Sequence, residues 1–328
     1  MIALARSARV TRWMQGNRAT ASIARRFVAG ADAAQAMHVA RDLEQAGFRT
    51  SLYYLGEYVK DPAIVAENGR QKIQVAESLS AAHLQIHVSI DSTQIGYALD
   101  EKAGEALALK IGARIRELGH RNGKPANGAP PVLMLNMEDA EYVDRILALR
   151  ASLLAAGVPV AQTLQAYLKR SADDLAPIIA AGGQVRLVKG AFADPRPHAF
   201  QGKAAIDVNY LALARRMLSA EAKASGFRPV FGTHDEALIA EIRRIAKNGG
   251  WRPGQYEFEM LYGVRNRPAT PAVRSGRAGA DLSALRPRLV ALCGAPGRRK
   301  PAQRSLAGAR GDERLRPQRT RPPKYSSR

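Results

Sequence analysis

Short apolar runs recur through the first 265 residues, and seven of them read as strands: SLYYL (51–55), LQIHVSI (84–90), VLMLNM (132–137), VPVAQTL (158–164), VRLV (185–188), PVFGT (229–233) and YEFEML (256–261). Between most of them lie stretches with apolar residues at helical spacing, at 31–46, 103–118, 142–156, 173–181 and 236–245. The first of these stops at Gly47, a residue suited to a helix C-terminus. Strands alternating with helices predict βα units on a parallel sheet, in the α/β class. Closing such a sheet into a TIM-like barrel takes eight units. The eighth strand and helix should follow Tyr262, and no such pattern is visible there. The expectation is a distorted (βα)8 barrel with strand 8 and helix 8 missing or replaced by a disordered basic tail.

Composition sharpens that boundary. The 328 residues carry a net charge of +21. From Asn266 to Arg328 there are 16 Lys/Arg against 3 Asp/Glu, a net of +13, which leaves +8 for residues 1–265. The same 63 residues hold 8 of the 18 prolines and the single cysteine, Cys293. Their one apolar run is 289–293, and by composition they read as disordered. The predicted division is a barrel with a helical lead-in over 1–265 and an Arg/Pro-rich tail over 266–328. One cysteine excludes an internal disulfide framework and any multi-Cys metal site, and a cytoplasmic, reducing location is the default. No run of eighteen apolar residues occurs, so no spanning helix is expected.

In a barrel of this kind, function gathers at the C-terminal ends of the strands. Four successive ends carry polar, charged and glycine residues: QAYLKR (165–170), RLVKGAF (186–192), GTHD (232–235) and EFEMLYGVR (257–265). Arg186 and Lys189 are three residues apart, so a regular strand would aim them at opposite faces. Both can reach one ligand only if the strand has ended by Lys189, which Gly190 allows. Cations in a barrel mouth are costly unless paired with anions, and a phosphate-bearing cofactor is one such anion. The plainer readings stand beside these. A strand-end Lys can be a solvated end, His234 alone can be a packed or capping histidine, and Asp91 can cap the turn that follows it as readily as meet a substrate. His83 and His87 on a strand lie too far apart to share a metal, and no metal site is read.

QAYLKR, RLVKGA, THD and EMLYG, in this order and spacing, resemble the proline dehydrogenases, flavoenzymes of proline catabolism. SLYYLGE (51–57), NMEDAEYVD (136–144) and the N-terminal MQGNRATASIARRFVAG (14–30) extend the resemblance over roughly residues 1–265. It implies FAD at the barrel mouth and oxidation of L-proline to pyrroline-5-carboxylate, with electrons passed to a quinone at the membrane surface. That would place the protein in the cytoplasm, peripheral to the inner face of the membrane, with pyrroline-5-carboxylate dehydrogenase as a further partner. By match to the family's motifs, Gln165, Arg186, Val188, Lys189, Gly190 and Ala191 would line FAD. Thr233 and His234 would join from the sixth strand, and Glu259 and Leu261 from the seventh. Asp91, Asn136, Phe192 and Tyr262 would lie on the substrate side. Four positions depart from the common pattern: Asp91 stands for a lysine, Asn136 for an aspartate, Phe192 for a tyrosine and Glu259 for a glutamine.

The family's eighth helix carries Tyr-x-x-Arg-Arg-x-x-Glu, whose paired arginines grip the substrate carboxylate. The pattern does not occur here: before Arg298-Arg299 the tyrosine position holds Ala295. One shift of reading frame near Asn266 accounts together for the lost strand, the lost arginines, the lone cysteine and the Arg/Pro excess. The resemblance therefore implies an enzyme of impaired turnover. Two other readings compete. One is a different FAD barrel such as a methylenetetrahydrofolate reductase, against which the QAYLKR and RLVKGA pair argues. The other is a nucleic-acid binder using its basic tail, although that tail has a single aromatic residue, Tyr325, and no nucleic acid is expected.

Overall fold

The computed structural model describes residues 28–30, 33–54, 56–121, 130–192, 194–262 and 288–293. Along the chain these form β1 (Val28–Gly30), α1 (Ala33–Gln45), β2 (Arg49–Tyr54), α2 (Pro62–Ala81), β3 (His87–Ile90), α3 (Glu101–Arg121), β4 (Val132–Leu135) and α4 (Val143–Ala155). They continue with β5 (Val160–Gln165), α5 (Ser171–Ala180), β6 (Gln184–Val188), α6 (Lys203–Met217), α7 (Ala220–Ala224), β7 (Arg228–Gly232), α8 (Glu236–Asn248), β8 (Glu257–Leu261) and β9 (Arg288–Cys293).

Strands β2 to β8 pair in sequence order, all parallel. Each corresponds to one of the seven apolar runs. Two faces of every central strand are covered, so the strands read as continuous apolar runs rather than as alternating ones. The wall of helices follows local chemistry. In α1 the chain closes as expected: Gly47 takes φ +85, with Gly47 N donating to Glu44 O at 2.9 Å and Phe48 N to Leu43 O at 2.9 Å. In α2, Asp61 caps the start by accepting from Ala63 N, with Pro62 as the first helical residue. In α8, Leu238, Ile239, Ile242 and Ala246 are buried at helical spacing.

The closing position holds a strand that the sequence pattern did not show. Arg288–Cys293 pairs with β2 along its whole length, from Arg49↔Arg288 to Tyr54↔Cys293. On its other side it pairs with β8 from Glu259↔Arg288 to Leu261↔Val290, and β1 continues that side at Leu292 and Cys293. The sheet therefore closes between β8 and β2, and the barrel strands extend past the composition break at Arg265. Parallel pairing draws on backbone groups, and the facing edges of β2 and β8 offer a row of them to any apolar, β-competent run. The run at 289–293 is one. The two compact units of the chain are Met1–Pro296 and Gly297–Arg328. The second unit, the expected eighth helix and the tail from 294 onward lie outside the described residues, as does most of the N-terminal segment.

Candidate active site

The C-terminal ends of the strands surround a cavity of about 550 Å³. Of the residues singled out from sequence, Asp91, Asn136, Gln165, Arg186, Val188, Lys189, Gly190, Ala191, Phe192, Thr233, His234, Glu259 and Leu261 all line it. Tyr262 does not. It packs half-buried against the core beside the others. Strand β6 ends at Val188, and Gly190 takes φ +106, so Arg186 and Lys189 do reach one cavity as anticipated. The glycine has a packing reason as well. A Cβ on Gly190 would lie 2.0 Å from the Tyr167 ring.

A chain of buried polar groups crosses the floor. Arg186 donates through Nη1 to Glu259 Oε1 at 2.7 Å, through Nη2 to Thr163 Oγ1 at 2.9 Å, and also to Asn136 Oδ1. Asn136 Nδ2 donates to Asp91 Oδ1 at 2.8 Å, and Tyr53 OH donates to Asp91 Oδ2 at 2.7 Å. Asp91's side chain is thus spent on the cavity floor. Its backbone carbonyl accepts from Gln94 N and Ile95 N in the following turn, so the side-chain capping reading gives way. Burial pushes the Asp91 carboxyl above its ordinary value, against the pull of Lys72 and of the Tyr53 and Asn136 donors. Burial, then Asp91, pushes the Tyr53 hydroxyl well up.

Within the protein itself, carboxylates pair with the mouth cations. Arg186 is held by Glu259, and Lys189 Nζ lies 2.6 Å from Asp207 Oδ1 and 2.9 Å from Asp235 Oδ2. Lys203 joins the same two aspartates. Burying a cation beside a carboxylate on the same scaffold needs no ligand. His234 Nε2 accepts from Leu261 N at 2.9 Å, which ties the sixth strand end to the seventh. Thr233 Oγ1 accepts from Asp235 N.

Three residues escaped the sequence reading. Tyr53 ends the first barrel strand and holds Asp91. Lys72 in α2 is 1% exposed and donates from Nζ to Ser89 O at 2.9 Å. Its signal was a lysine on the face that also carries Gly69, Val75, Ala76 and Leu79. Glu138, fully buried, accepts from Thr93 N at 3.0 Å and from the Ser92 and Thr93 hydroxyls, clamping the loop after β3 over the barrel. Burial raises its carboxyl, with the Asp91 charge adding to that.

Among the described residues, two oxygens lining the cavity are buried with no hydrogen-bond partner: Gln165 Oε1 and Glu259 Oε2. Both are acceptors. A buried acceptor left unmade is costly, so a ligand bearing N–H or O–H donors fits this wall. The cavity size suits a fused aromatic ring system with a polar edge, and the residues present fit a flavin ring.

A family model described as proline dehydrogenase matches residues 36–280. A proline dehydrogenase of Deinococcus radiodurans is 33% identical over 246 residues, covering 74% of this chain and 75% of that relative. Proline dehydrogenase 2 of Bacillus subtilis (strain 168) is 26% identical over 251 residues, 76% of this chain and 78% of the relative. Among solved structures, proline utilization A from Bdellovibrio bacteriovorus, inactivated by N-propargylglycine, shares the fold with a TM-score of 0.69 at 18% identity. That match covers 84% of this chain and 31% of the longer one. The family match and the 33% identical relative show that the chain belongs to the proline dehydrogenase family.

Proposed function

We propose that this chain binds FAD in the barrel mouth and oxidises L-proline to pyrroline-5-carboxylate, with a quinone as the electron acceptor. The observation that carries the reading is the pair of buried, unsatisfied acceptors, Gln165 Oε1 and Glu259 Oε2, in a strand-end cavity of this family's barrel. When bound, FAD supplies the two-electron acceptor for the hydride that leaves the ring carbon next to nitrogen. The protein's part is to bind, orient and exclude water. Gln165 is fixed by its Nε2 donation to Glu138 O at 2.8 Å, which presents Oε1 to a ring N–H. Arg186 is held by three side chains and keeps one orientation toward the cofactor. Its positive charge favours the electron-rich reduced form, and Glu259 moderates that field. Val188, Gly190, Ala191, Thr233, His234 and Leu261 form the wall on the cofactor side, and Lys189 holds the rim through its two aspartates.

Among the described residues no helix is long and apolar enough to cross a membrane, so a quinone partner implies contact from the membrane surface. The product is an imine, and a pyrroline-5-carboxylate dehydrogenase is the activity its chemistry calls for next. The sequence lacks the paired-arginine pattern that would grip the substrate carboxylate, so turnover should be weak. The test is the spectrum of the purified protein with a proline:quinone assay, beside a version whose reading frame is restored after Asn266. Flavin absorbance with slow turnover, raised in the restored version, supports the reading. A colourless protein that binds DNA with steep salt dependence sinks it, and normal turnover by the chain as given removes the impairment.

A further inference from the structure

We propose that Glu259 sets the reduction potential of the bound flavin and holds it low, through a carboxylate charge that opposes Arg186. The inference rests on the FAD reading and names the residue that tunes that cofactor. Side chains alternate along β8, so Phe258 packs into the apolar core and the glutamates on either side of it share the other face. Each glutamate meets an arginine from another strand. Glu257 Oε1 lies 2.7 Å from Arg49 Nη2, and Glu259 Oε1 lies 2.7 Å from Arg186 Nη1. The two pairs share one chemistry and stand two strand residues, ~7 Å, apart. They differ in place. Arg186 and Glu259 line the cavity, whereas Arg49 and Glu257 do not.

Glu259 is 2% exposed and its backbone is fixed, its carbonyl accepting from Thr233 N at 3.2 Å. One carboxylate oxygen holds Arg186, which keeps the group at the cavity wall. Water screens a charge there poorly, so its field acts on whatever the cavity holds. Reduction adds electrons to a flavin. A cation beside the ring favours that gain, and an anion opposes it. Together Arg186 and Glu259 present a nearly neutral pair, and removing the glutamate's charge would leave the arginine's unopposed. The native pair therefore keeps the flavin harder to reduce and, once reduced, readier to pass its electrons to an acceptor. The rim cannot take this part, because Lys189 is matched by Asp207 and Asp235 and stands nearer water.

The experiment measures the two-electron midpoint potential of the flavin-loaded protein by equilibration with redox dyes, for the parent, Glu259→Gln and Glu257→Gln. Glutamine keeps an oxygen for the arginine at both positions and removes the charge. Glu259→Gln should raise the midpoint by about 30 mV or more, a tenfold shift in the reduction equilibrium. Glu257→Gln, which unmasks an arginine away from the cavity, should shift that equilibrium less than threefold. If Glu259→Gln yields no flavin-bearing protein, Glu259→Asp decides. It keeps the charge, so its equilibrium should stay within threefold of the parent's. A rise under threefold or a fall in Glu259→Gln overturns the assignment, as does an equal rise in Glu257→Gln or a tenfold rise in Glu259→Asp. A colourless parent refutes the FAD reading, and the assignment falls with it. A coloured parent whose midpoint ignores Glu259 refutes the assignment alone.

Discussion

Two clusters of charge stand within one cavity and obey different physics. On the floor, Arg186 and Glu259 are 10% and 1% exposed at their side chains and share a ladder with Thr163, Asn136 and Asp91. At the rim, Lys189, Lys203, Asp207 and Asp235 form a ring of ion pairs in which Lys203 is 74% exposed. Water screens the rim, and each rim pair contributes little. The floor is buried and its groups are hydrogen-bonded in series, so each member there depends on its neighbours. Gly190 is the joint, next after Lys189 where the strand that carries Arg186 has ended.

The largest expected effect breaks the floor. Arg186→Met leaves the Glu259 carboxylate buried without its partner and should cost about 3–5 kcal/mol in urea unfolding. Adding Glu259→Met to it should recover most of that loss, because a buried pair replaced by apolar groups is near neutral. If the double variant is no more stable than Arg186→Met, the floor is not a coupled pair. Next comes the joint. Gly190→Ala must carry a side chain at φ +106 into the Tyr167 ring and should cost about 2–3 kcal/mol, read as a lower unfolding midpoint with reduced flavin content.

The two clusters should also answer pH with opposite sign. Asp91 has a raised carboxyl in the folded state, so the fold holds a proton that the unfolded chain has already lost. Its contribution to stability is greatest below the ordinary carboxylate value near 3.9 and is lost as pH rises through the folded value, at up to about 1.4 kcal/mol per pH unit. Asp91→Asn should therefore gain on the parent as pH climbs from about 4, in paired thermal melts. At the rim, hydrogen bonding from Lys189 holds the Asp235 carboxyl far below its ordinary value. Its contribution is present above about pH 4 and fades as pH falls further. Asp235 also caps α8 by accepting from Ala237 N and Leu238 N. Asp235→Asn keeps a capping side chain and should cost under about 1 kcal/mol at pH 7, less in high salt. Smallest of all, Lys203→Ala should leave the unfolding midpoint unmoved. A clear drop there would mean that the rim is not screened.

Most of the cavity was legible in the sequence because its residues sit at strand ends, where apolar runs stop and polar ones begin. Gln165 follows such a run and Thr233 closes one, while Arg186 and Glu259 are charged residues inside theirs. Tyr262 was placed at the site by resemblance to the family, and its side chain packs half-buried against the core outside the cavity lining. Lys72 and Glu138 were overlooked because their partners are far away in sequence. Lys72 reaches Ser89 and Glu138 reaches Thr93, and the one local signal was the place of Lys72 on the apolar face of its helix. The strand at Arg288–Cys293 was overlooked for the opposite reason. Its run is too short and its neighbourhood too rich in Arg and Pro to signal a strand alone.

By itself the sequence determined the periodicity, and so the parallel βα order, the seven strands and the ring of polar residues at their ends. Those follow from side-chain burial repeated along the chain. Only the tertiary structure decided what closes the barrel, since a strand's last partner is chosen by two open backbone edges brought close in space. It alone also decided that Arg186 and Lys189 are neutralised by the protein's own carboxylates, because charge pairing depends on distance through space and not on spacing along the chain.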